Sequence, residues 1–333
     1  MRVVVTGATG NVGTSLLRAL ASDDRVAEIV GLARRRPGGD FPKTEWRSVH
    51  IERDDLVPLF RGAGCVVHLA WLIQPSHDLA TLRRTNVDGS ERVFRAVGDA
   101  GVPALVYASS VGAYSPGPKD RRVDESWPTE GTETSFYARH KAEVEALLDG
   151  YQLQHPETRV VRLRPGLIFK RTSAEEQRRY FLGPLFPRLL ARRGTVPVIP
   201  DIDRLRFQAV HTHDVAEAYR LAAVGDARGA FNVAAEPTLD ARTLAVSLGA
   251  RVLPVPRAVA RGAMDATWRL RLQPTPPGWL DMGLSVPIMD TTRAREELGW
   301  EPRHSSVEAI RDVLSGIAGA EGAPKPPLEP ARR

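Results

Sequence analysis

The chain has 333 residues, a length typical of two structural units or of one large α/β unit with an added lobe. Hydrophobic residues make up 42% and charged residues 26% of the chain, close to the averages of globular proteins, which excludes a fibrous or disordered chain. The formal net charge is +6, but the 46 basic residues are scattered along the chain and form no aromatic-rich basic segment, so nucleic-acid binding is not expected.

The single cysteine, Cys65, has no partner for an internal disulfide and lies in an apolar run, as expected for a buried side chain in a reducing compartment. No apolar run is long enough to span a bilayer. The N-terminal strand leads directly into a glycine turn, unlike a signal peptide. A cytoplasmic protein without a membrane partner is therefore expected.

Short apolar runs alternate with stretches of helical period in the first half of the chain. The predicted strands are at residues 2–6, 29–33, 46–51, 65–70, 105–109 and 160–164. The predicted helices are at residues 12–22, 56–62, 78–100 and 135–153. Because the strands are apolar without alternation, they predict a parallel sheet covered by helices on both faces, which is a doubly wound α/β fold.

Beyond Phe169 prolines become frequent and the periodicity weakens, which predicts a smaller, irregular lobe. A helix is expected at 291–298, because Gly299 and Pro302 follow it in the pattern that ends helices. The last residues are rich in proline and have almost nothing to bury, so disorder is expected there. The expected division is a sheet domain at 1–165 to which some later segments return, a second lobe at 166–318, and a tail at 319–333.

A glycine-rich turn connects the first predicted strand to the first predicted helix. Its glycines permit a tight turn and the close approach of a ligand, and the amides at the start of the helix favour a pyrophosphate. The turn therefore predicts a dinucleotide site. The expected contacts are Gly7, Thr9, Gly10, Asn11, Val12 and Gly13.

Further motifs follow in order along the chain. Tyr137 and Lys141 lie four residues apart on a predicted helix and so share one face. The other motifs are His68-Leu69-Ala70, Asn86-Val87-Asp88-Gly89, Ala108-Ser109-Ser110-Val111-Gly112-Ala113-Tyr114, His211-Thr212-His213-Asp214-Val215-Ala216 and Leu298-Gly299-Trp300. Together with the Gly-x-x-Gly-x-x-Gly turn, they give nearly the whole chain a pattern that resembles the extended short-chain dehydrogenase/reductase superfamily of NAD(P)-dependent epimerases, dehydratases and reductases.

The resemblance implies a Rossmann-type NAD(P)-binding domain followed by a substrate-binding lobe. It implies that Ser110 is the catalytic serine, that Tyr137 is the acid/base, and that Lys141 contacts Tyr137 and the cofactor ribose. If the alignment with the family motif is off by one residue, Ser109 takes the place of the catalytic serine. The further cofactor contacts it implies are Ile51, Leu69, Ala70, Asn86, Ser109 and Pro165. For Asn86, a structural role that bridges backbone groups is favoured over a catalytic one.

The chemistry of these three side chains supports the same roles. A tyrosine has a pKa of about 10, and a neighbouring ammonium such as that of Lys141 brings it closer to the working range of an acid/base catalyst. A serine hydroxyl holds the substrate oxygen against the tyrosine while hydride is exchanged at the same centre. The alternative is that Tyr137 and Lys141 form an ordinary solvated helix pair. His211 and His213 lack a third ligand nearby, so no metal is expected.

The end of the second predicted strand indicates which cofactor is preferred. Ala33 stands where NAD-preferring relatives have an acidic residue, and Arg34, with Arg35, suits the 2′-phosphate of NADP. NADP is therefore expected, and NAD remains the alternative if these arginines are merely solvated. At the adenine, Val49-His50-Ile51 replaces the usual aspartate, so backbone contacts are expected there, and the following acidic residues are expected to begin the next helix.

Two positions distinguish the chain from sugar-nucleotide epimerases of the superfamily. By the resemblance, Phe207 takes the place of an arginine that binds diphosphate, and Gly166 takes that of an asparagine. A smaller and less polar alcohol or ketone is therefore expected as substrate. The expected pocket residues are Trp71, Gln74, Ser110, Phe169, Phe207 and Gln208, with core packing as the alternative for the aromatic ones.

The favoured function is an NAD(P)-dependent oxidoreductase that acts on a small-molecule secondary alcohol or ketone. The nearest alternative is an epimerase or dehydratase that retains its cofactor, and a different class is a non-catalytic protein that senses NADP(H). The long predicted helices at 78–100 and 135–153 favour a homodimer through a four-helix bundle.

Overall fold

The computed structural model describes residues 1–73, 78–179, 191 and 196–322. The strands are β1 (Arg2–Thr6), β2 (Glu28–Ala33), β3 (Thr44–Ser48), β4 (Cys65–His68), β5 (Ala104–Ala108), β6 (Arg122–Val123), β7 (Arg159–Pro165), β8 (Leu167–Phe169), β9 (Val198–Asp201), β10 (Ala209–His211), β11 (Gly229–Val233), β12 (Arg251–Pro254) and β13 (Ile288–Met289). The helices are α1 (Asn11–Ala21), α2 (Val57–Phe60), α3 (Leu79–Arg83), α4 (Gly89–Asp99), α5 (Phe136–Gln154), α6 (Ala174–Gln177), α7 (Thr212–Val224), α8 (Ala241–Leu248), α9 (Arg257–Arg269), α10 (Gly278–Ser285), α11 (Thr292–Glu296) and α12 (Ser306–Ala318).

Seven strands form a central parallel sheet in the order β11-β7-β5-β4-β1-β2-β3. Its middle strands are buried on both faces, with Val3, Val4 and Val5 wholly inaccessible, because one apolar cluster covers each side. The predicted doubly wound α/β fold is confirmed. The order of the strands reverses between β1 and β4, and the crevice at the carboxyl ends of such strands is where this kind of sheet binds ligands.

The six predicted strands are present with ends shifted by a few residues, and a seventh was missed. β11 pairs with β7 although it lies far beyond residue 165, and α7 before it packs on α1. The segment Gly229–Val233 is short and begins with glycine, so its sequence carries a weak strand signal. The sheet is therefore completed from the second half of the chain.

The predicted helix at 78–100 is interrupted. α3 is followed by a π-helical turn at Arg84–Asp88 and then by α4. The predicted helices at 56–62 and 291–298 are shorter in the structure, as α2 and α11, and the second ends before Gly299, whose φ is +66°. Such π-helical turns often occur at functional sites, where they displace side chains from the regular helical positions.

Outside the central sheet, the described residues form three small two-stranded pairs, β8 with β10, β9 with β12, and β6 with β13. The last pair joins Arg122–Val123 of the first half of the chain to a strand of the second half. α12 begins with a capping box formed by Ser305 and Glu308 and packs against β8 and β10. Of the predicted disordered tail, residues 323–333 lie outside the described ranges. No helix in those ranges is both long and apolar enough to cross a membrane.

Candidate active site

The glycine turn after β1 is packed too closely for side chains. Gly7 has a φ of +67°, and a Cβ there would lie 2.7 Å from the amide nitrogen of Ala70. A Cβ on Gly13 would lie 2.6 Å from the carbonyl oxygens of Gly7 and Ala8. The first turn of α1 has no acidic side chain, and its N-cap, Gly10, has no side chain to bind the helix amides. This cradle fits the pyrophosphate of a dinucleotide, which would accept hydrogen bonds from those amides.

A chain of buried hydrogen bonds fixes the loop that follows β4. The Nδ1 of His68 lies 2.7 Å from the Thr6 hydroxyl, and its Nε2 lies 2.9 Å from the Ser90 hydroxyl. Burial lowers the pKa of His68 to about 3, so the ring is neutral. Ser90 donates to the carbonyl of Asn86 at 2.6 Å. The loop that faces the cradle is thereby tied to β1 and α4.

Asn86 holds this loop through its amide. Its Oδ1 accepts from the Leu72 amide at 2.7 Å, and its Nδ2 donates to the Leu72 carbonyl at 3.0 Å. The π-helical turn places Asn86 in this position, 1% exposed. The expected cofactor contact of Asn86 does not agree with this arrangement, because both ends of its amide bind the backbone. The bridging role favoured from the sequence matches its contacts.

Tyr137 lies in the first turn of α5, where Ser135 caps the helix by accepting from the Ala138 amide. Gly112 lies under its ring, since a Cβ there would be 2.9 Å from the tyrosine Cε1. Burial raises the pKa of Tyr137 to about 12, and a hydrogen bond with Ser110 opposes this rise. Ser110 and Tyr137 line the same cavity, and we call them the Ser110–Tyr137 pair.

Lys141 lies one turn along the same helix and is 3% exposed. Its ammonium donates to the Ala108 carbonyl at 2.6 Å and lies 3.5 Å from the centre of the Trp71 ring. Burial lowers the pKa of Lys141 well below its usual value, and the charge of Glu145 opposes this effect. The side chain is therefore held by one carbonyl and one aromatic face.

Ser109 is bound away from this pair. Its hydroxyl donates to Glu145 at 2.5 Å. Glu145 also accepts from Arg162 at 2.7 Å and from Arg164 at 2.9 Å. The geometry therefore favours Ser110 over Ser109 as the serine that meets a substrate oxygen beside Tyr137.

One cavity of about 900 Å³ joins the glycine turn to the Ser110–Tyr137 pair. Many of the residues predicted from the sequence line it: Gly7, Thr9, Gly10, Asn11, Val12, Gly13, Arg34, Ile51, Leu69, Ala70, Trp71, Ser109, Ser110, Tyr137, Lys141, Pro165, Phe169 and Phe207. A single ligand-sized space is therefore bounded by both the predicted cofactor residues and the predicted catalytic residues.

Four predicted positions are not among the described lining residues. Arg35 is exposed beside the cavity, Asn86 binds Leu72, and Gln74 lies outside the described residues. Gln208 was expected in the substrate pocket, but its amide binds the backbone of Met289 through bonds of 3.0 and 2.7 Å. A glutamine after a loop carries no sequence signal that separates a pocket position from a backbone clamp.

Sequence reasoning missed much of the wall that the second lobe contributes. These residues are Leu205, Leu244, Leu248, Trp279, Met282, Ile310, Val313, Leu314 and Ile317. Their apolar periodicity on α8 and α12 indicates a buried face but does not say what that face meets. The indole of Trp279 lies 5.0 Å from the ring of Tyr137, between centres, and links this wall to Tyr137.

The adenine end of the cavity differs in part from the expectation. Arg34 lines the cavity and is exposed, directly after the end of β2. Glu52 also lines the cavity, whereas it was expected to begin the next helix. Asp55 does serve that helix, since its carboxylate accepts from the Val57 amide at 3.2 Å.

Comparisons with known proteins identify the family of the chain. A model of the NAD dependent epimerase/dehydratase family matches residues 3–234. An uncharacterised protein of Mycobacterium tuberculosis is 26% identical over 329 residues, which are 98% of this chain and 31% of that protein, so this chain spans less than a third of that relative. The NAD-dependent glucose-6-phosphate dehydrogenase of Haloferax volcanii is 30% identical over 192 residues, 53% of this chain and 72% of that enzyme.

Among solved structures, the UDP-glucose 4-epimerase of Thermus thermophilus in complex with NAD has a TM-score of 0.69 at 23% identity, over 96% of this chain and 100% of that chain. This likeness shows a shared fold. The family model covers well over half of the chain, and the matched residues include the glycine turn, Ser110, Tyr137 and Lys141. The chain belongs to the NAD-dependent epimerase/dehydratase family.

Proposed function

We propose that this protein is an NAD(P)-dependent oxidoreductase that interconverts a secondary alcohol and a ketone on a weakly polar small molecule. The observation that carries the proposal is that Ser110, Tyr137 and Lys141, the last one helical turn along α5, line a single cavity that reaches the glycine turn. The glycine turn, the first turn of α1 and Lys141 would hold the cofactor. When bound, the cofactor accepts hydride from the alcohol carbon or donates hydride to the ketone carbon.

The residues of the chain handle the accompanying proton. In oxidation, the alcohol oxygen lies against Ser110 and gives its proton to the deprotonated oxygen of Tyr137. In reduction, the same phenol returns the proton to the ketone oxygen. Because burial raises the pKa of Tyr137 to about 12, the phenol is protonated at neutral pH and is ready to donate. The lowering of the Tyr137 pKa that the sequence led us to expect from Lys141 is absent, since burial raises that pKa. In the proposed reaction, a protonated Lys141 in the same cavity would stabilise the deprotonated phenol.

The epimerase or dehydratase reaction is the second candidate, and membership of the family favours it. It would use the same three residues but leave the cofactor unchanged after each turnover. The proposal is tested by incubating the protein with secondary alcohols and NADP⁺ and following the absorbance of the reduced nicotinamide. Net reduction of NADP⁺ supports the assignment as an oxidoreductase. Conversion of a substrate without net change in the cofactor would replace it by the second candidate.

The preference for NADP over NAD is tested at Arg34. Arg34→Ala is expected to weaken NADPH binding about ten- to a hundredfold and leave NADH binding unchanged, because a charge-assisted hydrogen bond to phosphate contributes about 1.5–3 kcal/mol. Titration of both cofactors by intrinsic fluorescence measures this. Arg36→Ala is the matched control, since Arg36 is exposed, does not line the cavity and is not among the expected cofactor residues. Equal NADPH and NADH affinity in the wild type would refute the preference.

Ordinary nucleotide sugars are expected to bind poorly. Gly166 cannot be replaced by an asparagine, because a Cβ there would lie 2.5 Å from the Gln208 carbonyl oxygen. Arg171 pairs with Glu321 at 2.6 Å, and Arg206 is exposed, so neither lines the cavity to bind a diphosphate. Calorimetry of the NADP-loaded protein against UDP-, GDP- and dTDP-sugars measures this. A micromolar affinity for any of them would overturn the expectation.

A homodimer through α4 and α5 remains a prediction. These helices pack against each other, but an ion pair of Arg83 with Glu143 at 2.5 Å lies beside them on the surface. An isologous four-helix contact is expected to give twice the monomer mass by light scattering at micromolar concentration. A monomer mass there would contradict it.

A further inference from the structure

The part of the cavity formed by the second lobe has an apolar wall. We call this part the tail compartment, and define it by Phe169, Phe207, Leu244, Leu248, Ile310 and Leu314. Four of them pack on one apolar cluster, built on Ala209, Leu239 and Ile310, that joins β10, α8 and α12. α12 contacts both α8 and β8. Except for Phe207, which makes an isolated bridge to Leu239, the wall is therefore built on strands and helices.

The described residues that line the tail compartment offer no cation to a phosphate. Among the described lining residues that follow Pro165, the charged one is Glu176, and neither lysine nor arginine occurs. A diphosphate would lose its hydration there without gaining a cation from these residues. An aliphatic or alicyclic group would lose only apolar hydration and gain contacts with leucine, isoleucine and phenylalanine side chains.

The compartment is continuous with the catalytic pair. Trp279 and Met282 line the same cavity, and Gly112, which underlies the ring of Tyr137, lies close to Met282, since a Cβ on it would be 3.0 Å from the methionine sulfur. A substrate whose oxygen lies at Ser110 and Tyr137 therefore borders an apolar surface that leads into the second lobe. Ser110 and Tyr137 supply hydroxyls at the catalytic end, and Glu176 and Gln177 of α6 are further polar lining residues.

We infer that the substrate is an uncharged alcohol or ketone with an extended aliphatic or alicyclic tail, which occupies the tail compartment while its oxygen lies between Ser110 and Tyr137. This inference rests on the proposed function, because it takes the reacting carbon to lie beside Tyr137. The inferred substrate differs from that of a sugar-nucleotide enzyme, because it has neither a phosphate nor a sugar on the side of α8 and α12.

The test is a binding series that needs no turnover. Methyl ketones from 2-butanone to 2-decanone are titrated by calorimetry into protein saturated with NADP⁺, in which no reduced cofactor is present to reduce them. The dissociation constant is expected to fall about fourfold for each added methylene until the compartment is filled, since a buried methylene contributes about 0.8 kcal/mol. A dissociation constant that does not change with chain length would overturn the inference.

Two variants locate the effect on α8. Leu248→Trp fills the compartment and is expected to remove most of the gain for the longest ketones while leaving 2-butanone unaffected. Val246→Trp is the matched control, because Val246 lies on the same helix and is 78% exposed. Unchanged NADP⁺ affinity shows that both variants are folded. A third variant, Leu248→Asn, makes the wall polar without filling it and is expected to weaken the binding of long ketones in the same way. Equal long-chain affinity in wild type, Leu248→Trp and Leu248→Asn would refute the assignment of the tail to this wall.

The experiments distinguish failure of the inferred apolar tail from failure of the proposed oxidoreductase reaction. Chain-length dependence in the complex with NADP⁺, together with no hydride transfer from any matching 2-alkanol, would support the tail and overturn the oxidoreductase. Hydride transfer with equal efficiency from short and long 2-alkanols would keep the oxidoreductase and overturn the tail. Tighter binding of a UDP-sugar than of the longest ketone would overturn the tail as well.

Discussion

Replacing Tyr137 with phenylalanine is expected to lower turnover by about 10²- to 10⁴-fold and to leave the cofactor dissociation constant within a few-fold of the wild type. Only the hydroxyl that exchanges the proton is removed. The ring keeps its contacts with Gly112 and with the indole of Trp279, so the cavity retains its shape. Steady-state hydride transfer and fluorescence titration of NADPH measure the two effects.

Two further variants test whether the effect is specific to the Tyr137 hydroxyl. Tyr151→Phe removes a hydroxyl from the same helix, one that binds Thr158 at 3.3 Å away from the cavity, and should leave turnover unchanged. Lys141→Ala should damage both turnover and cofactor binding, because its ammonium serves the tyrosine and the ribose in the proposed reaction. Turnover close to the wild type in Tyr137→Phe would show that another group moves the proton.

The pH dependence has a definite sign. Oxidation needs the deprotonated phenol, and burial raises the pKa of Tyr137 to about 12. The deprotonated fraction, and with it kcat/KM for oxidation, should therefore rise as pH increases from neutrality, by up to about tenfold per pH unit. Reduction uses the protonated phenol, so kcat/KM for reduction should not rise with pH. The tyrosine-dependent slope should disappear in Tyr137→Phe.

The elements proposed to position the cofactor were predictable because their signals are local. A glycine turn between a strand and a helix, and two side chains one helical turn apart, depend on spacing within a few residues. In the structure, Gly7, Gly13, Tyr137 and Lys141 line one cavity. The positions of the strands depend in the same way on short apolar runs, and six of the seven were found.

The remaining features depend on contacts between distant segments. Sequence periodicity did not show that β11 returns to the sheet or that α12 faces the cavity. Periodicity identifies the apolar face of a helix or strand, but it does not identify the partner against which that face is buried. Gln208 illustrates the limit, since its two bonds to Met289 join residues about eighty positions apart. The buried pair Arg162 and Arg164 is another case, because its partner Glu145 lies on α5.

Replacing Glu145 with alanine is expected to lower the free energy of unfolding by about 3–5 kcal/mol, because two buried arginines would lose the carboxylate that they share. Arg162 would keep its ion pair with Asp149, and Arg164 would keep its bond to the Tyr114 hydroxyl. This carboxylate is inaccessible to solvent and accepts hydrogen bonds from Arg162, Arg164 and Ser109. Ser109 precedes the proposed catalytic serine, so turnover should fall as well. Chemical denaturation measures the stability. Glu143→Ala is the matched control on the same helix, because Glu143 forms a partly exposed ion pair at the surface and its loss should cost at most about 1 kcal/mol.

The same carboxylate makes the stability depend on acid. Burial alone would raise the pKa of Glu145, but the hydrogen bonds and charges of Arg164 and Arg162 outweigh burial and lower the pKa to about 2. A carboxylate with a lowered pKa in the folded state stabilises it above the unfolded value of about 4.3, and this stabilisation is lost as pH falls toward 2. The wild type should therefore lose more stability than Glu145→Ala between about pH 5 and pH 2. Parallel stability curves for the two proteins in that range would show that Glu145 does not carry the charge that holds Arg162 and Arg164.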